Sequence, residues 1–564
     1  MSRVRRHISE PFAIGLALFV ISLLLRIFCF LLFPHQGYPD SFYYATVARS
    51  LAAGHGFSVP YLFSFIEVGS IVPPHGVLPM ASNAMWMPLA SIIQVPFIWV
   101  LGPTDLASSL PFILLGAVLA PATYAFVRDM IRPELRAMRS PAVLAGVLAL
   151  SMGSISAFLP QPDNFALYGL LVLPVMWITG RLLRGDPGVI IGRFRFGPHV
   201  SMSIAGILAG LSFLSRNDGV LVVFAVGLVW LAGTLKAWHK RSRPPISRGD
   251  IFIFGATALV VVLPWLIRQM LVFGSLSPAA ASGRVLWIRF YQQFYSADGP
   301  LSPSYLLSWG WSNLLTSRLE ALLVVLLLSA VYLLFLVGVF WLPFGLKRNV
   351  RRPELRTYFV WLAVLLVWDV CVDSTLVTTG NYIHSVVSLM PLLYLLIADG
   401  VFEFRDRAVE RWKRFSHDGV LHKSLFVLLL VAILYSVALP LESAGQWTDY
   451  RDPSVPALAA IETHGGGGQM VMANDPGLVW SIDPNLPAIQ TPFSSLAIIH
   501  EAALSYDARW LVLNRDFIVD ALWPVLTGQV HPAWLSAAPI YASPTTKASP
   551  IPEVVVYQIL DSGG

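Results

Sequence analysis

Long apolar runs, broken by short basic or turn-rich stretches, recur along the whole chain. They cover residues 12–33, 106–127, 141–159, 165–183, 200–214, 219–235, 251–273, 319–346, 357–377, 383–400 and 424–440. Most approach the roughly 20 residues that a helix needs to cross a hydrocarbon layer. They are continuous rather than alternating, which excludes a β-barrel. One further run, 86–101, is short and carries Pro88 and Pro96. The pattern predicts an all-α polytopic membrane protein with 11 spans. The first run follows Arg3-Val4-Arg5-Arg6-His7, is too long for a signal peptide and precedes no small-residue cleavage site. It reads as an uncleaved first helix.

Sidedness follows from the positive residues. If 86–101 lies in the interface rather than spanning, segments 1–11, 128–140, 181–199, 236–250, 347–356 and 402–423 share one side and hold 27 of the 38 Lys and Arg. The positive-inside rule makes that side cytoplasmic. The N-terminus is then inside, and loops 34–105 and 274–318 and a tail, 441–564, are outside. A bacterial inner membrane is the expected location. Residues 1–440 form the transmembrane module. In the tail, 470–474, 510–514 and 554–560 read as buried strands, with helices at 495–505 and 517–526 between them, which predicts a small α/β domain.

Composition agrees: 56% of residues are hydrophobic and only 12% charged, which excludes a soluble enzyme. The net charge of +6 is a topology signal, not a nucleic-acid footprint. Cys29 and Cys371 both lie in apolar runs and offer no disulfide framework. Gly465-Gly466-Gly467-Gly468 lacks the spacing and trailing Lys of a phosphate loop.

Two acids stand at outer helix starts. Asp40 lies in Tyr38-Pro39-Asp40-Ser41 ahead of a helix expected over 41–53 and closed by Gly54; Asp163 lies in Pro160-Gln161-Pro162-Asp163-Asn164. Each could simply cap its helix. Their shared face and depth also suit proton abstraction, metal coordination or both. Outer cations are scarce and therefore informative. Arg216 could bind an anion or pair with Asp218; Arg268 could do the same or snorkel to the interface. Arg49 could solvate its helix, and Arg26, inside the first span, is expected to pair with Asp369. Glu67 and His75 could contact substrate or merely be solvated. The stretch 284–291, with Arg289, suits a lid over lipid and sugar, or plain aromatic-belt anchoring.

The segment Tyr38-Pro39-Asp40-Ser41-Phe42-Tyr43-Tyr44-Ala45 through Leu51-Ala52-Ala53-Gly54, followed by Trp86-Met87-Pro88-Leu89, a second acid at Asp163 and Ala473-Asn474-Asp475-Pro476 in the tail, resembles GT-C fold glycosyltransferases. The similarity is to the protein O-mannosyltransferases and the lipid A aminoarabinose transferase. Ser41 stands where many members carry Glu, and Asn381-Tyr382 where many carry Arg-Tyr. The resemblance implies transfer of a sugar from a polyprenyl-phosphate donor to a glycan, lipid or protein acceptor on the outer face, with inversion. Asp40 would be the base, and Asp163 would orient the acceptor or share a divalent cation, Mg or Mn, with Asp40. Tyr44, Arg49, Glu67, His75, Arg216, Arg268, Arg289 and Tyr382 would line the substrates. A transporter or flippase of lipid-linked sugars, without covalent chemistry, is the alternative. It should carry more charge at mid-membrane than Arg26 and Asp369. A non-enzymatic assembly protein explains the tail but not the paired acids.

Overall fold

The computed structural model describes residues 10–151, 153–186, 188–191, 194–545 and 549–560. The basic segment 3–7 lies outside them. Among the described residues, ten helices are long and apolar enough to cross a membrane, from Glu10–Leu32 to His417–Gly445. The run expected to span over 141–159 is made up of the helix Ser140–Ser151 and a 3-10 turn, Gly153–Ala157. The Ser156 hydroxyl takes the Ser151 carbonyl, which a continuing α-helix would use itself. The segment 86–101 forms two short helices, Leu89–Ile92 and Val95–Leu101, with Pro96 tolerated in the first turn of the second.

The chain sorts into two compact units. The first comprises the described residues of Met1–Leu32, Ser109–Trp265 and Arg318–Glu442. Its axis is the helical stretch Asn381–Arg411, whose most apolar window is wholly buried. The helix Gly338–Asn349 crosses it backbone to backbone. A Cβ on Gly345 would stand 1.9 Å from the Leu396 carbonyl oxygen, and one on Gly400 2.1 Å from that of Trp341. Small residues permit such close approach in apolar surroundings. Arg26 does not reach Asp369: its guanidinium donates to the carbonyls of Leu150 (2.7 Å) and Ser156 (3.5 Å). Those carbonyls are available because the helix stops there. Asp369 lies fully buried on a five-residue π turn, Trp368–Val372, and neither carboxylate oxygen has a hydrogen-bond partner among the described residues.

The second unit comprises Phe33–Ser108, Leu266–Ser317 and the described residues of Ser443–Gly564. Its centre is a six-stranded sheet. The strands are β1 (Tyr61–Leu62), β2 (Met470–Ala473), β3 (Ala488–Gln490), β4 (Ala508–Asn514), β5 (Tyr541–Ala542) and β6 (Val554–Gln558), in spatial order β1-β3-β2-β4-β6-β5. The first four are parallel, and β6 is antiparallel to both its neighbours. The first loop thus supplies a strand to the tail's sheet, with Tyr61 opposite Ala488 and Leu62 opposite Ile489. Leu62, Met472, Ile489, Leu511 and Leu513 form one apolar face, on which the helix Leu496–Ser505 packs through Ile499 and Ala502. The helix expected over 517–526 is broken into two 3-10 turns and the short helix Trp523–Leu526. Pro524 fits only that helix's first turn.

Candidate active site

Within the second unit, Asp40 is the second residue of the helix Pro39–Ala52; Tyr38, in extended conformation, is its N-cap. The carboxylate therefore does not cap the helix. It lies at the helix's positive end and accepts the indole N–H of Trp86. Trp86 is itself fixed. Its ring stacks on Tyr43, with centroids 4.1 Å apart, and meets the edge of Phe63 at 4.5 Å; its carbonyl accepts the Asn83 side-chain amide at 3.1 Å. Tyr43 stands three residues after Asp40 and so shares its helix face.

The Tyr43 hydroxyl donates to Glu67 Oε1 and accepts the Asn83 backbone N–H, both at 2.7 Å, while the Phe63 N–H donates to Glu67 Oε2 at 3.2 Å. Glu67 is thus not solvated. It is 5% exposed, and burial pushes its carboxyl up to about 7, although both hydrogen bonds favour the charged form. Burial, with the neighbouring acid second, also holds the Tyr43 phenol well above its ordinary range. Arg268 reaches the same assembly, donating to the Ser82 carbonyl at 2.8 Å and to Gln269 Oε1 at 3.1 Å, and Gln269 donates to the Asn83 carbonyl at 2.7 Å. Asp40, Glu67 and Arg268 are thereby linked through Trp86, Tyr43 and 82–83.

The other candidate residues of this unit make contacts of their own. Tyr44 is buried, and its carbonyl accepts Ser91 and Gln94. Arg49 is held by Asp105 at 2.7 Å rather than solvating its helix. Arg289 donates to the Ser308 hydroxyl at 2.6 Å and lies 3.9 Å over the Tyr305 ring. His75 is exposed.

Within the first unit, Asp163 is 1% exposed and accepts the Asn164 N–H at 2.5 Å, just before the helix Phe165–Arg184. His384 Nδ1 lies 3.5 Å from Asp163 Oδ1, and the imidazole stacks on Phe165 at 4.1 Å. His384 carries no sequence motif; its one signal is that it follows Asn381-Tyr382 on the same short helix, Asn381–Val386. That helix also brings Asn381 to Arg216 (2.9 Å), the Tyr382 hydroxyl to Ser329 (2.7 Å) and Ser385 to Asp218. Arg216 forms the expected pair with Asp218 at 3.0 Å. A carboxylate beside an imidazole is a donor set that suits a transition-metal ion such as Mn better than Mg, which favours all-oxygen ligands.

No protein-family model matches the chain, and no curated protein matches it. Solved structures do. ArnT from Cupriavidus metallidurans, bound to undecaprenyl phosphate, aligns over 97% of this chain and 97% of its own, with a TM-score of 0.52 and 13% identity. The oligosaccharyltransferase of Archaeoglobus fulgidus, tethered to an acceptor peptide containing the NVT sequon, aligns over 89% of this chain and 69% of its own, with a TM-score of 0.53 and 12% identity. The same archaeal enzyme, AglB, with an inhibitory peptide and a dolichol-phosphate, aligns over 88% and 69%, with a TM-score of 0.52 and 13% identity. The class is therefore defined: the chain has the GT-C fold, as the first-loop and tail motifs imply.

Proposed function

We propose that the chain is an integral-membrane glycosyltransferase of GT-C type. It moves a sugar from a polyprenyl-phosphate donor to a glycan, lipid or protein acceptor on the outer face of a bacterial inner membrane. The observation that carries this reading is the alignment, nearly end to end, with a structure that holds undecaprenyl phosphate. The hydrogen-bonded setting of Asp40 supports it further, since a base must be held still before it acts.

In the reaction, the acceptor hydroxyl oxygen attacks the anomeric carbon and gives its proton to Asp40. The bond from that carbon to the phosphate oxygen breaks, and polyprenyl phosphate leaves with the electron pair. A single displacement inverts the anomeric centre. Arg268, whose hydrogen bonds go to Ser82 and Gln269, is the cation assigned to the leaving phosphate. Arg216 and Arg289 are the further phosphate candidates, and Tyr44, Arg49, Glu67, His75 and Tyr382 remain assigned to the substrate surroundings. Asp163 orients the acceptor. A divalent cation would be held by Asp163 and His384 and would supply positive charge to the phosphate. A flippase with the same fold would move the lipid without cleaving it.

The test is incubation of the purified protein with a panel of polyprenyl-phosphate sugars. Release of free polyprenyl phosphate by the wild type but not by Asp40→Asn is the expected outcome. Equal release by both removes Asp40 as the base, and no release from any donor, with lipid scrambling intact, favours the flippase.

A further inference from the structure

Strands β1, β3 and β2 are adjacent and parallel, so their carboxyl ends lie along one edge. Phe63 follows β1, Gln490 ends β3 with Thr491 just beyond, and Asn474 follows β2. Ala473 is opposite Gln490, and the Thr491 N–H donates to the Ala473 carbonyl at 2.9 Å, which sets Thr491 beside Asn474. The crevice outside the carboxyl ends of parallel strands is where open α/β sheets take ligands.

At this edge polar atoms are buried without partners. Both side-chain amide atoms of Asn474, Oε1 of Gln490 and the Thr491 hydroxyl have no hydrogen bond among the described residues. Gln490 is 1% exposed and Thr491 0%. Native interiors satisfy such groups almost always, so a run of exceptions at one edge calls for a cause. The chemistry of the set is specific. The unpartnered atoms are amides and a hydroxyl, donors and acceptors mixed, and the acid beside them, Asp475, accepts the Leu478 N–H as the cap of the helix Pro476–Ile482. A phosphate would need Arg or Lys, and a cation would need more than one carboxylate. Neutral mixed donors and acceptors match the hydroxyls of a sugar.

Aromatic rings flank the edge, as the C–H faces of a sugar require. Tyr295 stands 6.0 Å from Phe63 and 5.8 Å from Phe493, two residues past Thr491. Phe63 in turn meets Trp86, whose indole N–H holds Asp40. The edge and the assigned base are therefore joined within one unit.

We propose that this edge is the acceptor subsite and that the acceptor is a glycan, whose hydroxyls bond Asn474, Gln490 and Thr491 while one is presented to Asp40. The proposal rests on the glycosyltransferase reading and narrows its acceptor to a carbohydrate. The attacking hydroxyl loses its proton to Asp40 as its oxygen bonds the anomeric carbon, and the donor's phosphate leaves with the electrons of the broken bond.

The test uses the full chain in detergent, without donor. Saturation-transfer NMR is recorded against a panel of methyl pyranosides, methyl furanosides and short oligosaccharides, and against Ser- and Thr-containing peptides. Binding of a glycoside is expected, weakened tenfold or more by Thr491→Val and by Gln490→Met and retained by Thr491→Ser. Thermal unfolding of each variant separates lost binding from lost folding; Thr491→Val removes an unsatisfied hydroxyl and should fold at least as well as wild type. Equal binding by the variants, binding of no glycoside, or binding of peptides alone overturns the proposal. Glycoside binding by a protein that releases no polyprenyl phosphate sinks the transferase reading and leaves the sugar site standing. Normal release with unchanged acceptor KM in both variants does the reverse.

Discussion

Glu67 makes the second unit measurably sensitive to pH. Its carboxyl rises from 4.5 to about 7 on folding because burial disfavours the charge more than the Tyr43 hydroxyl and Phe63 N–H favour it. The folded protein then holds a proton that the unfolded chain has given up over the interval between those values. Stability from this group is complete below about pH 4.5 and is lost as pH rises through about 7. Between pH 5 and pH 8 the loss is about 2–3 kcal/mol, at about 1.4 kcal/mol per pH unit. Glu67→Gln keeps the shape and is neutral throughout. Like the protonated acid it can accept the Phe63 N–H through its carbonyl oxygen and donate to the Tyr43 oxygen, so near pH 5 it should match wild type within about 1 kcal/mol. At pH 8 it should be the more stable of the two. Denaturant titrations at pH 5 and pH 8, followed by circular dichroism, give the readout. Parallel pH profiles for wild type and variant would refute the assignment of a buried, proton-holding Glu67.

Three further outcomes follow from particular contacts. Trp86→Phe deletes the hydrogen bond to Asp40; because that bond favours the charged carboxylate, polyprenyl-phosphate release should fall about tenfold and its acid limb should move to higher pH, which a pH–rate profile checks. Gly37→Ala would place a Cβ 1.9 Å from Trp447 Cε2, so it should cost about 1–3 kcal/mol, read as a lower midpoint of thermal unfolding. Gly400→Ala drives a methyl to 2.1 Å from the Trp341 carbonyl; it should lower thermal stability by more than Gly255→Ala, where nothing lies within 4 Å, and equal midpoints would deny the close helix crossing.

Much of the architecture is legible in the sequence because apolar length and period are local properties. The helix after Asp40, the strands at 470 and 508 and the helix at 496 fall within a few residues of their expected places. The Arg216–Asp218 pair is legible for the same reason: a single residue separates its ends. What fails is non-local. Nothing in Tyr61-Leu62 signals a partner at 488–489, and nothing near Arg26 signals that a helix ends beside it. Loop acids are usually wet, so Glu67 reads as solvated until Tyr43 and Phe63 are seen to enclose it. His384 is invisible because its meaning comes from Asp163 and Phe165, more than two hundred residues earlier.

The strand that the first loop lends to the distant sheet has a consequence for biogenesis. Residue 61 is made long before its mate, residue 488. At ordinary rates of synthesis the interval is on the order of half a minute or more. During that wait the early strand is an orphan edge, open to mispairing. A tail expressed alone would show the complementary bare edge on β3, so soluble fragments starting near 441 are poor candidates for crystallisation unless residues 58–63 are supplied in trans.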